Sequence, residues 1–260
     1  MMRAVYYEGF GPAAEVLVPG DLPDPVPGQG EVLVALRATG INPSDVKLRA
    51  GARPGAVMAY PRVIPHSDGA GVIEAVGPGV DPARVGERVW VWNAAWQRAF
   101  GTAAERVALP AEQAVRLPDG VAFREAACFG IPAMTAWMAV LGDGPVEGQT
   151  VLVTGGAGTV GRYACQMARL AGARVITTVS SAAKAAHSTA GDWVNYRDTD
   201  VAEAVMDMTG GAGVDRIVEV DFSANQEASL ALIKPGGTIA SYASASQMAP
   251  TLQFYPVDVQ

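Results

Sequence analysis

Two cysteines in 260 residues, Cys128 and Cys165, are too few and too far apart for a disulfide framework. Without Cys-x-x-Cys spacing they build no zinc ribbon either. Half of the chain is hydrophobic, yet no uninterrupted apolar run approaches the roughly 20 residues that a membrane span needs. The opening Met1-Met2-Arg3-Ala4-Val5-Tyr6-Tyr7-Glu8 has no apolar signal-peptide core. Basic charge is also short. The 19 Lys and Arg against 26 Asp and Glu leave a formal charge of −7, which argues against nucleic acid as a main partner because phosphate binding needs a basic face. These absences lead to the expectation of a cytoplasmic protein with neither membrane nor nucleic acid as a partner.

What is present centres on Thr150-Val151-Leu152-Val153-Thr154-Gly155-Gly156-Ala157-Gly158-Thr159-Val160-Gly161. A short β-branched run, glycines at every third position and a helix-forming segment make the strand, turn and helix start of a dinucleotide-binding unit. The order Gly155-x-x-Gly158-x-x-Gly161 departs from G-x-G-x-x-G but keeps its physics. One glycine turns the chain at positive φ, bare backbone admits a pyrophosphate, and Gly161 lets helix and strand pack closely. The helix N-terminus then offers free N–H groups to the phosphates.

Alternation continues downstream and raises the dinucleotide-binding reading above that of a glycine-rich turn in any α/β protein. Strands are predicted at 151–154, 174–178, 193–196, 215–220 and 237–242, with helices at 159–171, 182–189, 201–209 and 225–233. Such a pattern means a parallel, doubly wound sheet. Five strands in the order 3-2-1-4-5 leave the fifth as an exposed edge, the sixth of the complete fold being absent. In the first helix Val160, Ala164, Met167, Ala168 and Ala171 share the face expected to cover the sheet.

Residues 1 to about 120 read as all-β, with segments 31–38, 71–77 and 87–92 bounded by Gly, Pro and Asp turns, which suggests a barrel or sandwich. From Arg124 to Leu141 the character becomes helical, interrupted at Gly130 and Pro132. We therefore expect two domains, 1–123 and 124–260.

Five motifs in order carry a family likeness: Asn42-Pro43-Ser44-Asp45, Asp68-Gly69-Ala70-Gly71-Val72-Ile73-Glu74-Ala75-Val76-Gly77, Gly101-Thr102-Ala103-Ala104-Glu105, Gly130-Ile131-Pro132-Ala133-Met134-Thr135-Ala136-Trp137 and the glycine turn. Together they resemble the zinc-free quinone oxidoreductase (zeta-crystallin-like) branch of the medium-chain dehydrogenase/reductase superfamily. That resemblance implies a GroES-like β-barrel followed by a Rossmann domain, and hydride transfer from NADPH to a quinone in the cleft between them. It also implies a chain continuing beyond Gln260, so that the sheet is truncated and a homodimer formed through a terminal strand is weakened. The helix between Ser181 and Trp193 is a few residues short for the family.

Zinc-dependent relatives place a Cys where Asn42 stands, a His where Ser67 stands and a third ligand near Ile131, and none of these three side chains is a strong zinc ligand. His66 is one position off, and a His66, Asp68, Cys128 set lacks the clustered spacing of known sites. No metal is expected. Cys128 and Cys165 are expected to be buried, and His187 to be solvated.

An NAD-preferring site offers an acid about 20 residues beyond the turn. Here the second strand ends Thr177-Thr178-Val179-Ser180-Ser181, with no acid. Ser180, Ser181 and Lys184 can hold a 2′-phosphate, with Tyr196 and Arg197 on the next strand end. NADPH is therefore the expected cofactor; the alternative for Lys184 is an ordinary solvated lysine. The resemblance adds Thr135 near the nicotinamide, Thr159 and Val160 at the pyrophosphate, and Ser241 and Tyr242 along the cofactor.

Hydride chemistry belongs to the cofactor, so the protein must position it and stabilise charge on the acceptor oxygen. Asn42, Asp45 and Lys47 lie in what resembles the family's active-site loop, with Tyr60 in the following segment. Asn42 can donate to the acceptor oxygen and Lys47 can stabilise or protonate it. Alternatively, Asn42 and Asp45 simply cap the loop, and Lys47 is solvated. Trp92, Trp96 and Phe100 either wall the acceptor pocket or belong to core packing. The leading expectation is an NADPH:quinone reductase. The alternatives are an NADPH-dependent enone or enoyl reductase and a non-catalytic, crystallin-like NADPH-binding protein.

Overall fold

Period-two alternation builds the first half of the chain and βα repetition the second. The computed structural model describes residues 1–52, 55–246 and 249–252. In it the chain divides into two compact units, Met1–Ile131 and Pro132–Gln260.

The first unit opens with β1 (Met2–Tyr6), a single helical turn α1 (Ala13–Val16) and β2 (Val18–Leu22), with β1 and β2 antiparallel. There follow β3 (Glu31–Gly40), α2 (Pro43–Arg49), β4 (Asp68–Val76), β5 (Arg88–Val91), β6 (Arg106–Pro110) and β7 (Ala114–Arg116). These five strands pair antiparallel in the order β6-β3-β4-β5-β7. Val32, Val34, Ile73, Val89, Val107 and Leu109 are buried on one side, as alternating strand positions dictate. A short α3 (Phe123–Ala126) sets Ala126 and Ala127 against Ala70 and Leu117.

Two details of this unit position the candidate residues. The β3–β4 register shifts between Leu33/Val34 and Leu36/Ala38, which brings Thr39 opposite Gly69 and Gly40 opposite Asp68. The second is a correction: Asn42, Asp45 and Lys47 do not lie in a loop. Pro43–Arg49 is a helix with Asn42 as its N-cap, Pro43 in the first turn and Asp45 as the third helical residue accepting from the Asn42 N–H at 2.8 Å. Proline at the start and a carboxylate reaching back to the cap are helix-start signals, and they outweigh the loop reading.

A π-helical turn over Phe129–Ala133, with Pro132 inside it, interrupts the helical stretch at the expected place. The second unit contains α4 (Met134–Leu141), β8 (Thr150–Val153), α5 (Thr159–Leu170), β9 (Arg174–Val179), α6 (Ala182–Ala185), β10 (Asp192–Asn195), α7 (Val201–Met208), β11 (Val214–Glu219), α8 (Phe222–Leu232) and β12 (Ile233–Ser241). The strands are parallel in the order β10-β9-β8-β11-β12. This is the expected 3-2-1-4-5 arrangement, with β12 at the edge among the described residues.

Smaller expectations are corrected. The helix predicted over 182–189 is one turn, Ala182–Ala185. The expected face of α5 does pack inward, Ala164 and Ala168 fully buried and Val160, Met167 and Ala171 against the same cluster, and Gly161 and Cys165 are buried beside them. Cys128 is exposed, whereas Cys165 is fully buried, and burial pushes the Cys165 thiol up to about 11. His187 is exposed, as expected. No helix among the described residues is long and apolar enough to cross a membrane.

Candidate functional site

In the first unit the organising residue is Asp68, the first residue of β4, which has no exposed surface. A buried carboxylate needs donors, and three elements supply them. Asn42 Nδ2, at the start of α2, donates to Asp68 Oδ2 at 2.8 Å. The Ile131 N–H, on the π-turn, lies 2.9 Å from both carboxylate oxygens. That approach requires Gly130, where an added Cβ would sit 2.1 Å from Asp68 Oδ1. The Asp68 carbonyl accepts from Thr102 Oγ1 at 2.6 Å and Thr39 Oγ1 at 3.2 Å. Burial pushes the Asp68 carboxyl up to about 6, against the pull of Asn42 and Ile131, and the nearby Asp45 carboxylate adds to the rise. Burial likewise raises Asp45.

The same centre holds His66. Its Nδ1 lies 3.1 Å from Thr39 Oγ1, which is 2.7 Å from Thr102 Oγ1. His66 adopts φ +76°, the left-handed region that an L residue with a Cβ enters at a cost. Among the described residues the other non-glycine positive φ values are those of Asn93 and Gln97. Both belong to the segment tied to this centre, because the Ala94 N–H donates to the Ser67 carbonyl.

The other candidates of the first unit are placed as follows. Lys47 is exposed on α2, and its ammonium forms no ion pair among the described residues. Tyr60 is half-buried and donates its O–H to the Gln97 carbonyl at 2.6 Å. Trp92 is half-buried with its indole N–H 3.4 Å from the Glu112 carbonyl, while Trp96 and Phe100 are exposed. A cavity of about 540 Å³ is lined by Leu36, Arg37, Thr39 and Thr102 among others, and by none of Asn42, Trp92 or Trp96.

This arrangement does not fit a zinc ion. Asn42 spends an amide proton on Asp68, and Ile131 presents an N–H, a donor that no cation can use. Among the described residues no group of three or more His, Cys, Asp or Glu side chains is placed to hold a metal, and His66, Asp68 and Cys128 form no such group.

In the second unit β8 ends in the glycine turn. Gly155 has φ +69° and its N–H donates to Thr178 Oγ1 at 3.0 Å. Gly158 is the N-cap of α5. A Cβ on Gly161 would come within 2.4 Å of the Gly155 carbonyl, so only glycine lets turn and helix meet. Thr159 and Val160 occupy the first turn of α5, where N–H groups have no intrahelical partner. At the end of β9, Ser180 is buried, Ser181 caps α6 by accepting from the Lys184 N–H, and the Lys184 side chain is exposed. Tyr196 follows β10 and is half-exposed, as is Thr135 on α4 to a lesser degree; Arg197 is exposed. Ser241 ends β12 with its hydroxyl on the Ala243 carbonyl. Tyr242 is half-buried, and burial followed by the Glu219 carboxylate raises its phenol. A cavity of about 690 Å³ lies outside the carboxyl ends of these strands, with Thr154, Gly155, Thr178, Tyr196, Asp221 and Asn225 in its lining. Open α/β sheets bind ligands at such ends.

Sequence reasoning weighed Asp68 only as a candidate metal ligand and missed a second organising acid, Glu219. Asp68 was legible as a lone charge in the otherwise small and apolar run Asp68–Gly71. Glu219, fully buried at the end of β11, accepts from Thr154 Oγ1, the Asp221 N–H, Asn225 Nδ2 and Ser229 Oγ. Its signal was an acid closing the apolar strand Ile217-Val218.

Comparisons with known proteins place both units in known families. Residues 28–119 match the family model described as alcohol dehydrogenase GroES-like domain, and residues 159–259 the one described as zinc-binding dehydrogenase. The chain is 32% identical over 247 residues to the quinone oxidoreductase of Homo sapiens, covering 92% of this chain and 72% of that protein. Among solved structures it resembles the quinone oxidoreductase of Pseudomonas syringae, with a TM-score of 0.82 at 31% identity, covering 95% of this chain and 74% of that one. It also resembles the Escherichia coli quinone oxidoreductase complexed with NADPH, with a TM-score of 0.80 at 26% identity, covering 96% of this chain and 76% of that one.

Proposed function

The chain belongs to the quinone oxidoreductase branch of the medium-chain dehydrogenase/reductase superfamily, and from that premise we propose that it is a zinc-independent, NADPH-dependent reductase of quinone-like acceptors. The observation that carries this reading is the turn after β8, where Gly155, Gly158 and Gly161 leave a cradle of bare backbone at the head of α5. That cradle fits a pyrophosphate. When bound, NADPH supplies the hydride.

The remaining roles fall to this chain's own residues. Thr159 and Val160 offer N–H groups to the phosphates. Ser180, Ser181 and Lys184 face the position of a ribose 2′-phosphate, where the last residue of β9 is Val179 and no acid stands to prefer the unphosphorylated ribose. Thr135, Tyr196, Ser241 and Tyr242 line the remainder of the cofactor. In the first unit Asn42 presents its amide to the acceptor oxygen, held in place through Asp68 and Asp45. Tyr60 braces the segment carrying Trp96 through its bond to Gln97.

The test is a titration with NADPH and NADH read by protein fluorescence, followed by NADPH oxidation with a benzoquinone and with an enone. NADPH-selective binding with quinone turnover supports the reading. Turnover of the enone alone assigns the enone reductase, and binding without turnover assigns a crystallin-like binding protein. Failure to bind either nucleotide refutes the proposal.

A further inference from the structure

We propose that His66 is the proton donor to the oxygen of the reduced acceptor, which makes it a catalytic residue of the quinone reductase reading on which this inference rests. Hydride arrival gives the acceptor two electrons and one proton, and the oxygen that gains negative charge needs a second proton. Lys47, the donor expected from the sequence, is exposed on α2; Tyr60 spends its O–H on Gln97, and Asn42 can donate a hydrogen bond but not a proton.

Three observations converge on His66. The first is its backbone. At φ +76° a glycine would be unstrained, and a histidine held there by the Thr102 N–H on its carbonyl at 2.9 Å is strain of the kind that collects at functional sites. The second is the hydrogen-bond chain that orders its protons. Thr102 donates to the Asp68 carbonyl, an acceptor only, at 2.6 Å. Thr39 has one hydroxyl proton, and the Asp68 carbonyl at 3.2 Å and Thr102 Oγ1 at 2.7 Å compete for it. Thr39 Oγ1 is then left to accept from His66 Nδ1. Assigned from this network, the Nδ1 proton is fixed, and Nε2, which has no hydrogen-bond partner among the described residues, is the nitrogen free to exchange a proton. The third is placement. Asn42 hangs on the Asp68 carboxylate, and the His66 ring is tied to the Asp68 carbonyl through the Thr39 and Thr102 hydroxyls, so one residue anchors both the oxygen-binding amide and the ring.

The step balances as follows. The bond from Nε2 to hydrogen breaks, its electrons stay on the ring nitrogen, an O–H bond forms on the acceptor oxygen, and the neutral imidazole is recharged by solvent. Burial lowers the His66 pKa below 6.5, while the Asp45 carboxylate on α2 opposes the fall, so the charged ring is a minor species at neutral pH and an effective acid when it forms.

The experiment compares wild type with His66→Gly and His66→Asn, both of which tolerate a left-handed backbone. We expect an unfolding midpoint at or above that of wild type for His66→Gly, unchanged NADPH affinity for both, quinone turnover lower by roughly 10²–10⁴-fold, and partial recovery of His66→Gly by added imidazole. Nitrogen NMR of the ring should show Nδ1 protonated in the neutral form, and Thr39→Val should abolish that preference. A folded His66→Gly or His66→Asn with wild-type turnover overturns the assignment, as does a neutral ring protonated on Nε2. An inactive wild type overturns the reductase reading, and this proposal with it. An active wild type with an equally active variant overturns this proposal alone.

Discussion

Replacing Asp68 by asparagine should flatten the pH dependence of the first unit's stability. Asp68 has no exposed surface, and its carboxyl is raised from 3.8 to about 6, chiefly by burial. A folded-state value above the unfolded one means that the protonated form is favoured by folding. The corresponding stability is fully present below pH 3.8 and is lost as pH rises through about 6. At 1.36 kcal/mol per pH unit, a rise from 3.8 to about 6 corresponds to about 3 kcal/mol. Asp45, raised by burial as well, acts in the same direction. In Asp68→Asn one amide oxygen at the position of Oδ2 can still accept from Asn42 and Ile131, because both donors reach that oxygen. The variant should therefore fold and lose the titration. Calorimetry at pH 4.5 and pH 7.5 is the assay. Because pH 4.5 already lies above 3.8, about 2 kcal/mol of this changes across the window. That moves the midpoint of a unit of this size by roughly 7 °C, so wild type should lose up to that much and the variant clearly less. A variant whose midpoint tracks wild type at both pH values would show that the titrating group is not Asp68.

Other perturbations address the remaining features. Gly161→Ala forces a Cβ to within 2.4 Å of the Gly155 carbonyl; overpacking of this kind costs about 1–3 kcal/mol, and NADPH affinity, measured by fluorescence titration, should fall at least tenfold. Lys184→Ala should weaken NADPH by roughly five- to thirty-fold, the loss of one partly solvated charge contact of about 1–2 kcal/mol, and leave NADH unchanged; equal loss for both nucleotides would remove Lys184 from the 2′-phosphate. Tyr60→Phe takes the donor from the Gln97 carbonyl. It should cost about 0.5–1.5 kcal/mol by urea unfolding and raise the quinone KM more than it lowers kcat.

Much of this protein was determined by local pattern. The glycine triplet and the βα alternation follow from spacing that acts within a few residues: β-branched runs make strands, and small residues let α5 lie on the sheet. The strand order, with β12 at the edge among the described residues, follows from the general rule for doubly wound sheets. The missing acid after β9 was readable in the same way. The helix at Asn42 was also written locally, in Pro43 and Asp45, although the loop reading passed over it. The centre of the first unit was not readable locally. Asp68 meets Asn42 across 26 residues, Thr102 across 34 and Ile131 across 63, and no periodicity spans such distances. The β3–β4 register shifts, the absence of a Cβ at Gly130 and the burial of β4 decide that these groups share one aspartate. Burial is a property of the packed unit, and it is the chief cause that lifts an ordinary aspartate to about 6.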